Sequence, residues 1–193
     1  MNNEFLIWSQ AYREGFCVID KLQGFKEQWL LQKGVALAEK WPDNVTFSMT
    51  PRYPKDIKLS DGLFGSSYRV ISNRVKDLLA ALAAASNIEF LPVSILNHKG
   101  RVASTDYFIL NPLDVVDCID QDKSGIVWNP IDPSIISSVE KFVLRDDAIP
   151  KGSAIFRPNF MQRTILTKRE VAAKLLAADL TGVFFTEAST YTG

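Results

Sequence analysis

A strand end that runs straight into a capped helix, and from the helix into another strand, occurs twice in this chain. In the first instance Val70-Ile71 precedes Ser72, and Asn73-Arg74-Val75-Lys76-Asp77-Leu78-Leu79 opens a helix with Ser72 as its N-cap. That helix is expected to run through an alanine-rich stretch to Ser86-Asn87, with a strand following over Ile88-Glu89-Phe90-Leu91-Pro92-Val93. In the second, Ile165-Leu166 precedes Thr167, and Glu170 completes a capping box. A helix from Val171 to Leu176, the turn Thr181-Gly182 and a strand at Val183-Phe184-Phe185 follow. The two candidate caps are 95 positions apart (72 to 167). Two related strand–helix–strand units are one reading. Two unrelated amphipathic helices, each before a strand, are the other. Two copies are too few for a solenoid.

Strands dominate the remainder. Short apolar runs at Phe5-Leu6-Ile7-Trp8 and Phe16-Cys17-Val18-Ile19 read as strands, as does the alternating Val45-Thr46-Phe47-Ser48-Met49. Apolar residues at 25, 29, 30, 37 and 38 predict a helix over Phe25 to Lys40, ended by Pro42. Prolines and glycines between Pro51 and Ser67 predict a long loop. Further strands are expected at Tyr107-Phe108-Ile109-Leu110, at Gly125-Ile126-Val127-Trp128, at Val139 to Leu144 and at Ala154-Ile155-Phe156, the last two joined by Pro150-Lys151-Gly152. Strands in runs rather than in strict alternation with helices imply an α+β fold with a mostly antiparallel sheet and a few capped helices. The 193 residues suit one domain. It divides into a strand-and-helix part over 1–60 and a core over 68–188.

Composition removes several function classes. Lysine plus arginine and aspartate plus glutamate number 22 each, so no net charge draws the chain to nucleic acid or an anionic membrane. Cys17 and Cys118 lie in separate apolar runs, as buried reduced thiols do. Met1-Asn2-Asn3-Glu4 lacks a basic region and Phe5 to Trp8 is too short for a signal core, so the expected location is cytoplasmic.

Catalytic and metal motifs are hard to find. Asp120-Gln121-Asp122-Lys123-Ser124-Gly125 resembles the opening of a calcium loop, but position twelve is Ile131, where a bidentate carboxylate is needed. The segment is expected instead to be a hairpin turn whose aspartates satisfy their own backbone. The single histidine, His98, sits in a polar turn with no cysteine or second histidine at ligand spacing. There is no Gly-x-Ser-x-Gly elbow and no phosphate-binding glycine loop. No cofactor or metal is expected.

Charge is segregated along the chain. Asp106, Asp114, Asp117, Asp120 and Asp122 lie between Arg101 and Lys123 without a cation. Lys151, Arg157, Arg163, Lys168, Arg169 and Lys174 follow further on, against Glu170 alone. Either the two stretches neutralise one another in the fold, or an acidic face is presented to a basic partner.

The order Ile71-Ser72-x-x-Val75-Lys76-x-Leu78-Leu79, Glu89-Phe90-Leu91-Pro92-Val93, and Tyr107-Phe108-x-Leu110-Asn111-Pro112-Leu113-x-Val115-Val116-Asp117 resembles a family of bacterial immunity proteins of polymorphic-toxin systems. It is the eleventh class of these, also described as a domain of unknown function. Asp120 to Ser124, Phe156-Arg157 and Leu180-Thr181-Gly182-Val183-x-Phe185 continue the likeness, which covers residues 68 to 186. The resemblance implies a protein that neutralises a cognate toxin by binding it, without catalytic residues. With no signal peptide, the implied toxin acts in the cytosol, as a nuclease or another nucleotide-directed enzyme.

Candidate contact residues are Asp114, Asp117, Asp120 and Asp122 on an acidic rim loop, and Arg157 and Phe160 in the segment that follows. The expected partner is a toxin protein rather than nucleic acid or membrane; the oligomeric state is open. A small enzyme with a site built only in space, and a structural or regulatory module that self-associates through a sheet edge, are the competing readings.

Overall fold

Alternating apolar side chains build two main sheets in the computed structural model, which describes residues 4–191. The chain begins with β1 (Phe5–Ser9), β2 (Ile19–Gln23), β3 (Thr46–Met49), β4 (Gly62–Leu63) and β5 (Val70–Ser72). Helix α1 (Asn73–Ala81) leads to the long hairpin β6 (Ile88–Leu96) and β7 (Val102–Pro112), then β8 (Val115–Val116). The single turn α2 (Gln121–Ser124) precedes β9 (Ile126–Trp128) and β10 (Ile136–Val139). After these come β11 (Ile155–Pro158), β12 (Leu166–Lys168), α3 (Arg169–Ala177) and β13 (Phe184–Glu187).

One sheet has the order β2-β3-β6-β7-β5-β4, a second β13-β1-β12-β11-β8, and β9 and β10 form a separate ribbon. Only β3 with β6 and β8 with β11 pair in parallel among the described strands, so the fold is α+β and mostly antiparallel, as the runs of strands imply. β2 and β3, from the first sixty residues, share a sheet with β4 to β7, whereas β1 crosses to the sheet of the C-terminal strands.

The two strand–helix–strand units are built alike. In each, the strands flanking the helix run parallel and are separated by a third strand antiparallel to both: β7 lies between β5 and β6, and β1 between β12 and β13. The elements correspond at a spacing of 96 positions: helix 73–81 with 169–177, strand starts 70 with 166 and 88 with 184. Each helix closes through a residue of positive φ at the same offset, Ala83 (52°) and Asp179 (51°). The buried faces also match, Val75 and Leu79 against Val171 and Leu175. These four side chains meet in one core with Trp8 and Ile71, so α1 and α3 pack together on side chains from both sheets. Each fully buried leucine contributes about 1.5–3 kcal/mol of burial.

Several sequence expectations are corrected. The helix over Phe25 to Lys40 is two short 3-10 turns, Gln28–Gln32 and Ala38–Lys40, split by Gly34 at φ 66°. An α-helix would bury residue 29 with residue 25, but Trp29 is 62% exposed. The strand expected from Phe16 starts at Ile19, since Phe16 and Val18 make only isolated bridges. The strand expected over Val139 to Leu144 is β10, ending where that one begins. Helix α1 stops at Ala81 rather than at Ser86-Asn87. Ser72 does occupy an N-cap, but its hydroxyl donates to Asp61 Oδ1 at 2.9 Å instead of capping the helix. Thr167 is no cap at all. It lies inside β12 at 0% exposure, and Lys168 occupies the cap position, so the register between the units is 96 rather than 95. Glu170 pairs with Lys168 at 3.2 Å in place of the capping box.

Candidate functional site

A cleft of about 470 Å³ forms where three irregular segments meet. The first is the turn Gln28–Gln32. Leu30 and Leu31 turn into the core, which leaves Trp29 projecting into solvent and places Gln32 and Lys33 on the cleft wall. Gly34 must be glycine in effect, because a Cβ there would meet Val115 Cγ2 at 2.6 Å.

The second segment is 159–164. Phe160 adopts φ 65°, held by Asn159 Oδ1 accepting its N–H at 3.0 Å and by Ile136 N–H donating to its carbonyl at 2.9 Å. This backbone twist leaves the Phe160 ring half-buried on the cleft, beside Met161 and Arg163. The third is the β9–β10 ribbon. Its tip is ordered by Asn129 Oδ1, which accepts the N–H groups of Ile131 and Asp132 at 2.9 and 3.0 Å. Trp128 stands edge-on to Phe160 at 5.4 Å and 84°, joining the ribbon to the second segment. Ile131 at the tip is 93% exposed.

Arg157 lies behind this wall. It is 3% exposed, and its guanidinium donates to the carbonyls of Pro112 (3.0 Å), Gln162 (2.6 Å) and Leu31 (3.0 Å) and to Asn111 Oδ1 (3.3 Å). Burial, with Arg69 nearby, lowers its pKa to about 10, so it stays charged at neutral pH. As a surface contact residue Arg157 is therefore corrected: it clamps the first and second segments together from inside.

The acidic stretch is largely committed to partners within the fold. Asp114 accepts from Asn87 Nδ2 at 3.2 Å, and Asp117 pairs with Arg145 at 3.3 Å. Asp120 caps α2 by accepting Lys123 N–H at 3.2 Å and Lys123 Nζ at 2.8 Å, bonds that hold its carboxyl below the usual range. The expected hairpin turn is thus a single helical turn closed by Gly125 at φ 59°. Asp122 remains exposed. Compensation of the acidic stretch comes from Lys123 and Arg145, not from the basic stretch after Lys151.

Of the six sequence candidates, Phe160 alone lines the cleft. Trp29, Lys33 and Tyr191 line it without having been singled out, and Trp128, likewise not singled out, stands against Phe160; Trp29 and Trp128 fit apolar periodicities that predict burial. The signal available for Trp29 was its polar setting, Lys26-Glu27-Gln28 before it. His98 is half-buried with Nε2 3.0 Å from Thr50 O, outside any acid–base constellation among the described residues. Cys17 and Cys118 are buried, and burial pushes both thiols up to about 12. No helix among the described residues is long and apolar enough to cross a membrane. The signal-core expectation rests partly on residues 1–3, outside the described residues.

Compared with known families, the chain matches over residues 10–190 a model described as an immunity protein family, Imm11. No match is found among curated proteins.

Proposed function

The chain belongs to the Imm11 immunity protein family, and from that premise we propose that it binds and neutralises a cognate toxin in the cytoplasm by direct contact, without catalysis. The observation that supports a binding role is the concentration of Trp29, Phe160 and Tyr191 on one cleft, with Trp128 packed edge-on against Phe160. Large aromatic side chains held at a surface by rigid neighbours are the residues that dominate protein–protein contacts, because they bury much area at little entropic cost. The rigid backing is Arg157, which fixes the carbonyls of Leu31 and Gln162 on either side of the cleft. Among the residues the sequence suggested, Phe160 belongs to this surface, and exposed Asp122 is a secondary contact candidate outside the cleft.

The test is co-expression with the cognate toxin. Survival of the host and a complex that stays together through size-exclusion chromatography are expected. Killing that continues with no complex formed overturns the proposal. Trp29→Ala should weaken the complex by about 2 kcal/mol or more while leaving the unfolding midpoint unchanged.

A further inference from the structure

The cleft has a definite sign of charge. Lys33 and Arg163 stand on its wall, and neither forms an ion pair among the described residues. No aspartate or glutamate among those residues lines it. On the side of Arg163, Arg69 and Arg157 surround a small adjoining void. The hydrogen bonds that hold the Arg157 guanidinium go to carbonyl and amide oxygens, and Glu89 reaches it only through Asn111, whose Nδ2 donates to Glu89 Oε2 at 3.1 Å. Glu89 is further occupied by the N–H groups of Leu37 and Ala38 at 2.8 and 3.0 Å. Asp132, close enough to feel Lys33, turns its Oδ1 to the N–H and hydroxyl of Ser134. A buried cation held by neutral dipoles keeps its field, and a low-dielectric wall directs that field into the adjoining cleft.

We propose that the element of the toxin seated in this cleft is acidic, with carboxylates set against Lys33 and Arg163 and an apolar side chain against Trp29 and Phe160. The proposal rests on the docking role of the same cleft and adds the chemistry of the occupant. A nucleic-acid backbone fits less well. Its affinity comes from neutralising a row of phosphates, whereas two surface cations in one short cleft of a chain with no net charge offer no such row.

The experiment uses the full chain and its cognate toxin. Reversing both charges, Lys33→Glu with Arg163→Glu, should slow association at low salt by roughly tenfold or more and flatten its dependence on ionic strength. Trp29→Ala should instead speed dissociation and leave the salt dependence in place. Carbodiimide, which joins an amine to a carboxylate in contact with it, should couple Lys33 to an aspartate or glutamate of the toxin, and Lys33→Gln should remove that cross-link. If Trp29→Ala weakens the complex but charge reversal changes neither rate nor salt dependence, the acidic occupant is overturned and the docking role stands. If neither variant alters binding, the docking role of the cleft fails first. If reversal abolishes binding of a single-stranded oligonucleotide and leaves the toxin complex intact, the cleft serves nucleic acid and the proposal is overturned.

Discussion

In the first strand–helix–strand unit, the strand before the helix ends on a carboxylate: Ser72 donates to Asp61, which also accepts the Thr181 N–H at 2.8 Å and the Thr181 hydroxyl at 3.0 Å. In the second unit the corresponding strand carries Thr167, whose buried hydroxyl finds no partner among the described residues. The helices are the same length and bury matching side chains, yet the polar groups around them differ completely. Asp61, just before β4, bonds to Ser72 of the first unit and to Thr181 of the second, so the first unit's polar lock is also the clasp between the two. Arg74 of α1 adds to it by donating to the carbonyls of Ala178 and Asp179 at the end of α3. A frame repeated by apolar spacing tolerates this divergence because burial is non-directional, whereas each hydrogen bond needs a specific partner. The cleft lies outside the repeat, in the turns and ribbon added to it.

The equivalence of the frames can be broken most severely at their shared core. Leu79→Ala and Leu175→Ala should each cost about 2–5 kcal/mol, since both side chains are fully buried at matching positions. Denaturant unfolding measures both; a loss confined to one of them shows that the units do not share one cooperative core. Next in size is the clasp. Asp61→Ala leaves Ser72 and the Thr181 N–H without their acceptor and should cost about 1–3 kcal/mol. A variant as stable as the parent in the same assay removes the clasp from the account.

The polar contrast is sharpened by Thr167→Val, which exchanges an unpartnered buried hydroxyl for a methyl group of similar shape. Stability should be unchanged or should rise by up to about 1 kcal/mol, opposite in sign to Asp61→Ala. A clear fall in melting temperature would mean that the hydroxyl is satisfied in solution.

The smallest effect is expected from acid. Glu187 of the second unit is held below its ordinary value of 4.5, chiefly by its hydrogen bonds to Arg169 at 2.9 and 2.7 Å. A carboxyl whose pKa is depressed by folding adds stability above its unfolded pKa and loses it as the pH falls through the folded value. The melting temperature of the protein should therefore fall on acidification, and Glu187→Gln should fall by less over the same interval. Parallel curves for the two proteins would show that this partly exposed pair contributes nothing measurable.

The sequence by itself determined the elements whose signal is local. Val75 with Leu79, and Val171 with Leu175, repeat at helical spacing and fixed both helices and their buried faces. Runs of alternating strands fixed the α+β class. Tertiary structure decided the polar partners and the site. Arg157 reads as one more surface cation in a basic stretch, but a carbonyl 126 positions away, that of Leu31, takes one of its hydrogen bonds and draws it inside. Trp29 reads as the buried face of a helix until the positive φ of Gly34 ends the turn and leaves the ring outside. The aspartates from 114 to 120 read as an open acidic face until Asn87, Arg145 and Lys123 arrive beside them. Periodicity is written in neighbouring residues, so it can be read along the chain. Which charge is paired, and which aromatic ring is left uncovered, depends on segments that meet only when the chain has folded.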